Sequence, residues 1–443
     1  MAEPEPRAAA GQPELHRSIG PFQLFAYTLG GMLGAGIYGL VGRAAGELGN
    51  AVWLGFGVAM VAALLTGLSY ASLGSRYPRA GGAAYITQRA FGMRLLSWVV
   101  GLAVMASGLT SVATQSRVVA LNLLALFPVE APPVLVALGF LLVVAGVVLR
   151  GIRESMVFNI VCTAVEFCGL AFVILVGIPY WGAVDLLVTP SPEGITASLL
   201  LSGAILTFFS FLGFEDSLNV AEECKEARRT VPIGIVGAML AATLLYMAVA
   251  ITAVSVVPFA ELAQAPSPLA AVTAAAAPWF PSWGYVAITL FAVANTALLN
   301  YVTASRLAYG MARDGLLPEV LARVHPGRRT PHVSIAVLFV ILVALVLAGD
   351  IGQLASATVL LLLTVFTVVN AALLVLQRRP GEPHGGFEVP SFVPATGAVV
   401  CLVLLGNRVA TGDWRAPMLA GVILVAILLL YAVLRPRRRA QQA

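Results

Sequence analysis

The sequence predicts an all-α integral membrane protein that crosses the lipid bilayer twelve times. Only 11% of the 443 residues are charged, 59% are hydrophobic, and the mean hydropathy is +0.93. Soluble domains carry about 25% charged residues, so this chain lacks the polar side chains needed to cover a water-facing surface. Its apolar segments are each near or above the ~20 residues that a helix needs to span a bilayer.

The predicted spans follow one another through short connecting loops. They are 19–43, 51–75, 95–127, 132–150, 155–180, 196–222, 232–257, 281–311, 333–349, 351–376, 392–410 and 415–434. Gly349 and Asp350 separate the ninth span from the tenth. Because the ninth span is short, this division has the weakest support in the sequence.

Arginine and lysine predict the orientation of the spans. Basic residues concentrate in the loops after the even-numbered spans and after the last span, whereas the opposite side carries only Arg43, Arg408 and Arg415. By the positive-inside rule, both termini are cytoplasmic and the number of spans is even. Because the basic residues lie in these short loops, the net charge of +5 does not indicate a nucleic-acid partner.

The first predicted span is interrupted by glycines, four of which lie among residues 30–36. Glycine costs roughly 1 kcal/mol relative to alanine inside a helix, so the pattern predicts a break at membrane depth. Backbone broken at that depth must be covered by protein or water. The sixth span repeats the pattern, with serine, glycine and a carboxylate within residues 207–215. Spans five apart cross in opposite directions, and such interrupted pairs are typical of secondary transporters.

A broken helix leaves N–H groups unpaired at one end and C=O groups unpaired at the other. The N–H end attracts a carboxylate and the C=O end attracts an ammonium, which fits an α-amino acid. The amides of residues 35–37 are the predicted carboxylate site. The carbonyls near Gly31 and Met32, and those near Phe209 and Ser210, are predicted to meet the ammonium. The candidate binding residues are Gly31, Met32, Gly34, Ala35, Gly36, Ile37, Phe209, Ser210 and Gly213. An alternative interpretation of the glycines is helix packing through small residues.

Glu166 and Glu215 lie inside apolar segments, where ionisable side chains often mark pathways or proton relays. We consider Glu166 first as a coupling residue and Glu215 as a gating residue. Thr296 and Asn300 share a helix face in span 8 and are further candidates. The alternatives are a hydrogen-bonded structural glutamate for Glu166, a helix cap for Glu215 and interhelical hydrogen bonds for the span 8 pair.

The sequence predicts no enzyme, metal site or cofactor. The four cysteines are scattered without metal-ligand spacing, and the four histidines lie outside the predicted spans. No catalytic triad or phosphate-binding loop is present in the sequence.

Several motifs in order resemble the amino acid–polyamine–organocation (APC) superfamily. Residues 31–38, Gly-Met-Leu-Gly-Ala-Gly-Ile-Tyr, resemble its first-span motif G-x-I-x-G-S-G-I-F. Residues 77–85 resemble its first cytoplasmic loop, and residues 209–223 with 228–232 its sixth span and following loop. Residues 305–318 closely match the motif that ends its eighth span. The resemblance extends from about residue 18 to residue 410.

The resemblance implies a five-plus-five inverted repeat of the leucine-transporter type with two additional C-terminal helices. It divides the chain into a cytoplasmic tail (1–18), a ten-helix transport core (19–376), two further helices (377–434) and a basic tail (435–443). By position, Gly34, Ala35 and Gly36 match the carboxylate-binding turn, while Phe209, Ser210, Gly213 and Glu215 match the unwound part of span 6 and its gate. Ala35 replaces the usual serine, and Glu166 aligns where some proton-dependent relatives have lysine.

These observations predict a secondary active transporter of amino acids in the cell membrane, working by alternating access with proton symport. The alternatives are an obligate exchanger of amino acids or polyamines and, from another class, a non-transporting sensor. The sequence favours a neutral substrate over a cationic one, because no carboxylate can be placed at the far end of the pocket. It leaves the oligomeric state open.

Overall fold

The computed structural model describes residues 19–78, 82–127, 130–150, 156–221, 224–313, 315–326, 328, 330–410 and 414–434. Within these residues the chain is helical and contains no strand. The α-helices are α1 (Pro21–Met32), α2 (Ala35–Leu48), α3 (Val52–Arg76), α4 (Gly82–Phe91), α5 (Arg94–Leu126), α6 (Pro133–Arg150), α7 (Met156–Gly177), α8 (Ala197–Phe208), α9 (Ala227–Val256), α10 (Phe259–Gln264), α11 (Pro268–Ala276), α12 (Ser282–Arg313), α13 (His332–Ala348), α14 (Ile351–Arg378), α15 (Phe392–Ala410) and α16 (Arg415–Leu434).

The helices confirm an all-helical, multi-pass membrane fold. Ten helical segments of the described chain are long and apolar enough to cross a membrane. One of them, Gly36–Arg76, joins α2 to α3 through the short 3-10 turn Gly49–Ala51, and the 17-residue α13 lies just below the length of a full span. The predicted number of twelve is therefore not confirmed by length and composition.

Two sets of helices pack in equivalent ways. The first set comprises α1–α3 and α5–α7, and the second comprises α8, α9 and α12–α14; the main contacts of these helices correspond as follows. α1 packs on α9 as α8 packs on α3, and α5 packs on α14 as α12 packs on α7. α5 contacts α6 as α12 contacts α13. The contacts α3–α9, α5–α12 and α6–α13 each join two helices that exchange with one another, so each of these contacts is its own counterpart. Exchanging the sets leaves these contacts unchanged, as a five-plus-five repeat requires.

The last two helices lie outside this exchange. α15 packs on α14, α3 and α8, and α16 packs on α14 and α5. Large apolar side chains on the outer faces of both helices are exposed, including Leu402, Val422 and Val433. In a membrane protein such a face is suited to lipid contact, because the acyl chains cover apolar side chains at no cost.

Candidate functional site

The first predicted span is broken where its glycines predicted an interruption. α1 ends at Met32, and α2 begins at Ala35. Leu33 and Gly34 between them are extended, with φ/ψ of −72°/102° and −169°/−145°. The amides of the first turn of α2 and the last carbonyls of α1 consequently have no partner within their own helices.

The sixth predicted span is interrupted over a longer stretch. α8 ends at Phe208 and is followed by two 3-10 segments, Phe209–Phe211 and Phe214–Leu218. Gly213 joins the two segments with a φ of 119°, which side chains rarely tolerate. Glycine at this position therefore permits the chain to change direction in the middle of the span.

The two interruptions touch each other through backbone. A Cβ atom on Gly213 would lie 2.6 Å from the carbonyl carbon of Gly31, and one on Gly36 would lie 2.4 Å from the Cα of Ser210. A Cβ on Gly34 would lie 2.8 Å from Oγ1 of Thr296. Glycine is required at these positions because the two broken spans and α12 approach within side-chain distance.

Side-chain hydroxyls hold the exposed carbonyls of the breaks. The Tyr246 hydroxyl of α9 lies 2.9 Å from both the Met32 oxygen and the Ser210 oxygen, and its proton is shared between these acceptors. Thr296 donates to the Leu33 oxygen at 3.0 Å. Met32 and Ser210 were expected to offer their carbonyls to an ammonium, but Tyr246 already occupies one acceptor position on each. Sequence reasoning missed Tyr246, although it is a lone tyrosine in an apolar span.

A cavity of about 630 Å³, which includes its opening to solvent, lies beside the breaks near the middle of the long helices. α5, α12 and α14 form its remaining walls. The lining residues are Gly31, Met32, Gly34, Gly36, Val104, Met105, Ser107, Gly108, Ser111, Gln115, Phe209, Leu212, Gly213, Glu215, Asp216, Thr296, Asn300, Thr303, Ala304, Leu307, Thr358 and Leu362. Its position between the helices of a bundle is that of a small-molecule site.

Nine of the predicted site residues line this cavity. They are Gly31, Met32, Gly34, Gly36, Phe209, Gly213, Glu215, Thr296 and Asn300. Ile37 and Ser210 are buried but are not among the lining residues. Ala35 opens α2, and its side chain lies outside the described part of the chain.

Two carboxylates face the cavity from the second interruption. Oε2 of Glu215 accepts a hydrogen bond from the Gly213 N–H at 2.8 Å, and Oδ1 of Asp216 accepts one from Asn219 at 3.3 Å. No basic side chain lines the cavity in the described part of the chain. The argument for a neutral substrate concerned the far end of the pocket, whereas these two carboxylates lie at the second interruption, so that argument stays a prediction. Asp216 was missed, although it adjoins Glu215 in the same interruption.

Glu166 lies in a separate buried position between α7, α2 and α12. Its Oε1 accepts a hydrogen bond from Asn295 at 3.1 Å, and its backbone oxygen accepts one from the Tyr38 hydroxyl at 2.6 Å. The residue is fully buried, and Oε2 has no hydrogen-bond partner among the described residues. Asn295 directly precedes Thr296, so one turn of α12 contacts both the Glu166 carboxyl and the first break.

A polar stripe on α5 was also missed by the sequence analysis. Ser107, Ser111 and Gln115 all line the cavity, opposite Asn300 of α12. Their four-residue spacing places them on one helix face, and this spacing was the available signal. The described residues contain no group of three or more histidine, cysteine, aspartate or glutamate side chains that could hold a metal ion.

A helical membrane protein in which two interrupted spans meet at a mid-helix cavity has the architecture of a secondary transporter. Comparison with protein families agrees with this class. A family model described as amino acid permease matches residues 19–433. The chain belongs to this amino acid permease family, within the APC superfamily.

The chain is similar to several characterised proteins along most of its length. It is 30% identical over 398 residues to the vacuolar cationic amino acid transporter 4 of Arabidopsis thaliana, a match that covers 84% of this chain and 65% of that protein. It is 28% identical to the methylthioribose transporter of Bacillus subtilis (strain 168), covering 88% of this chain and 87% of the relative. It is 26% identical to the branched-chain amino acid permease BcaP of the same bacterium, covering 90% of each.

All three relatives are named as transporters or permeases, which agrees with the expectation that the chain is not an enzyme. Their named substrates differ, and the chain spans only about two thirds of the length of the Arabidopsis protein. The relatives therefore indicate a permease but do not indicate one substrate.

Proposed function

We propose that the protein is a secondary active transporter that carries amino acids across the cell membrane by alternating access, coupled to protons. The observation that carries the proposal is the meeting of two broken spans at one cavity, with helix ends of opposite polarity. In this proposal residues 19–376 form the transport core, residues 377–434 add two supporting helices, and the tails 1–18 and 435–443 are cytoplasmic.

The substrate carboxylate binds the amides that open α2, at Ala35, Gly36 and Ile37. These amides lie at the positive end of a helix and have no intrahelical acceptor. The ammonium binds on the opposite side, at the carbonyls of Gly31 and Phe209 and the carboxylate of Glu215, since all three residues line the cavity. Glycine at positions 34 and 36 lets the substrate approach the backbone, because no Cβ lies in its way.

The charge on the cavity wall limits the substrate class. Glu215 and Asp216 both line the cavity, with no basic side chain beside them among the described residues. Carboxylates on the cavity wall repel an anionic substrate side chain. We therefore propose neutral or cationic amino acids as substrates, in line with the relatives named for branched-chain and cationic amino acids.

Glu166 is the proposed proton carrier. Its carboxyl is fully buried, and one oxygen is without a partner among the described residues. A proton on that oxygen removes a charge that burial would otherwise penalise. Because Asn295 contacts Glu166 and the adjacent Thr296 holds Leu33 at the first break, protonation at Glu166 acts on the substrate-binding turn through α12.

Uptake into proteoliposomes tests the proposal. An inward proton gradient should drive uptake of a labelled amino acid mixture into vesicles that contain no amino acid. Glu166→Gln keeps the shape of the side chain but cannot release a proton, so gradient-driven uptake should fall at least tenfold. Exchange between internal and external amino acid should survive, because the binding turns are intact.

The exposed Glu193 provides a matched control, since it lies in the loop before α8 and is not among the described residues that line the site cavity. Glu193→Gln should behave as the wild type. If uptake requires internal amino acid, the protein is an obligate exchanger rather than a symporter. Binding without uptake under either condition would favour a sensor over a transporter.

A further inference from the structure

A polar cluster on the cavity wall takes no part in holding the two breaks together. It consists of Ser111 and Gln115 of α5 and Asn300 of α12, all of which line the cavity. Oγ of Ser111 accepts hydrogen bonds from Nε2 of Gln115 at 2.9 Å and from Nδ2 of Asn300 at 3.2 Å. The cluster faces the cavity from the two helices that pack across from the broken spans.

The side-chain oxygen of Gln115 is buried and accepts no hydrogen bond from the described residues. Its side chain is 1% exposed, and Oε1 has no partner among the described residues. An unpaired buried acceptor is costly, and proteins tolerate few of them. The Ser111 hydroxyl has both lone pairs engaged, so its proton is also available to another acceptor. Both groups border the cavity, where a ligand can pair with them.

Asn122 shows that position distinguishes Gln115 from other buried amides of α5. Asn122 is also buried, donates from Nδ2 to the Val118 oxygen at 2.9 Å, and has an Oδ1 without a partner in the described chain. It lies two turns further along the helix and does not line the cavity. Of these two unpaired acceptors, the one on Gln115 belongs to a residue that lines the cavity.

We propose that Ser111, Gln115 and Asn300 form a subsite that selects amino acids whose side chain ends in an N–H donor, with Gln115 as the specificity-determining residue. The inference rests on the proposed transport function. The substrate backbone binds at the two breaks, and its side chain extends toward α5 and α12. Amide and ammonium side chains both supply the donor that Oε1 lacks, whereas an apolar side chain of equal length leaves it unpaired.

The experiment compares three substrates in proteoliposomes that contain the purified full-length protein. Norleucine has the carbon skeleton of lysine without the terminal amine, and glutamine carries a neutral amide. Wild-type protein should take up lysine or glutamine with a higher kcat/KM than norleucine. Gln115→Leu should lower that ratio about tenfold, the effect of losing one hydrogen bond to the substrate. Uptake of norleucine itself should persist.

Two further variants separate the subsite from general damage. Asn122→Leu removes a buried amide from the same helix and should leave the ratio unchanged. Gln115→Glu keeps an acceptor of the same size and should raise the preference for lysine over glutamine, because it adds negative charge. This variant and the wild-type ratio test the inference even where Gln115→Leu folds poorly.

The subsite would be overturned if the wild-type protein preferred norleucine to both lysine and glutamine. The subsite would also be overturned if both Gln115 variants kept the wild-type substrate preferences. The transport function would then still stand. A wild-type protein that transports none of the three, and no other amino acid, would overturn the transport function and the subsite together.

Discussion

Glycine at positions 36 and 213 lets the two broken spans touch without intervening side chains. The tightest approach is at Gly36, where an added Cβ would lie 2.4 Å from the Cα of Ser210 and 2.5 Å from its Oγ. The nearest of these atoms, the Cα of Ser210, belongs to the backbone, so rotation of the Ser210 side chain cannot make room. This contact fixes the first turn of α2, and with it the amides proposed to bind the substrate carboxylate.

Gly36→Ala should therefore impair both stability and transport. Overpacking of this kind costs about 1–3 kcal/mol, because backbone must move to admit the methyl group. We expect the thermal unfolding temperature in detergent to fall and initial uptake to drop at least tenfold. Both quantities are measured on the same purified protein, by a thermal melt and by proteoliposome uptake.

Gly139→Ala in α6 is the matched control, because a Cβ there would meet no atom within 4 Å. Alanine is favoured over glycine in a helix by roughly 1 kcal/mol, so this variant should be at least as stable as the wild type. Equal behaviour of the two variants would contradict the packing argument.

The local pattern of glycines predicted the break in span 1, because φ/ψ freedom and missing Cβ atoms are properties of single residues. The same reasoning could not predict that Tyr246 holds Met32 and Ser210, since α9 is distant from both in sequence. Nor could it place Gln115 on the cavity wall. The direction in which a residue of α5 faces depends on how α12 and α14 pack against that helix.

At the scale of elements, the segment between α14 and α15 forms a clasp, which we define as Arg379–Ser391. Its Glu388 binds Arg76 at the end of α3, with Nη2 and Oε2 2.6 Å apart. Its Glu382 accepts hydrogen bonds from Tyr77 at 2.8 Å and from Arg89 of α4 at 2.9 Å. The clasp thereby joins α3 and α4 to the end of α14.

A hydroxyl extends the clasp to α9. Pro232 lies inside α9 and has no N–H to offer the Arg228 carbonyl one turn earlier. Oγ of Ser75 donates to that carbonyl at 2.9 Å and accepts hydrogen bonds from the N–H groups of Gly386 and Phe387. The clasp thus connects ends of helices from both halves of the repeat.

The ion pair at Glu388 should make stability depend on pH. Burial alone would raise the pKa of Glu388, but hydrogen bonds from Arg76 and the Gly385 N–H outweigh it and lower that pKa below its ordinary value. A carboxyl with a depressed folded-state pKa stabilises the fold above its unfolded pKa of about 4.3. This stabilisation is lost as the pH falls through the lower, folded-state value.

Glu388→Gln should lower the thermal unfolding temperature at pH 7, because the Arg76 side chain is only 4% exposed and would lose its anionic partner. The pair is intermediate between exposed and buried ion pairs, so we expect a loss of about 1–2 kcal/mol. Melts of both proteins from pH 7 downward should converge only below the depressed folded-state pKa of Glu388, where the wild-type carboxyl is protonated.

Glu193→Gln is again the control, since Glu193 is exposed and forms no ion pair among the described residues. It should leave the melting curves unchanged at every pH. A Glu388→Gln difference that persists undiminished at the acidic end would assign the effect to packing rather than to charge.

Hydropathy predicted the long helices but missed the short ones. α4, α10 and α11 lie between predicted spans and were not expected, because segments of 6–10 residues are too short to form a hydropathy peak. The predicted span 196–222 proved to be α8 followed by 3-10 segments. Average hydropathy is insensitive to such a break, whereas the residues Ser210 and Gly213 did indicate it.

For the whole molecule, the arrangement of contacts supports two equivalent halves more directly than the sequence does. The odd separation of the two interrupted spans predicted that they run in opposite directions. The sequence similarity between the halves is weak, so the pairing of α3 with α9 and of α5 with α12 emerged only from the packing. These self-paired helices lie at the centre of the exchange, where a two-fold axis would pass.

The weakest point in this architecture is α13, and a labelling experiment can test it. With 17 residues it is about 25 Å long, against roughly 30 Å of hydrocarbon, so it must thin the bilayer locally or extend through its flanking residues. Its counterpart α6 has 18 residues and packs against it, which favours a matching depth for the two helices.

The segments α8, α9, α12, α13 and α14 separate Glu193 from His384. Five crossings place these two exposed residues on opposite sides of the membrane, and four crossings would place them on the same side. In a cysteine-free background, Glu193→Cys should react in intact cells with a maleimide that cannot cross membranes. His384→Cys should react only after permeabilisation, because the positive-inside rule assigns its loop to the cytoplasm. Reaction of both from outside would mean that α13 does not cross, and the exchange of halves would then have no counterpart for α6.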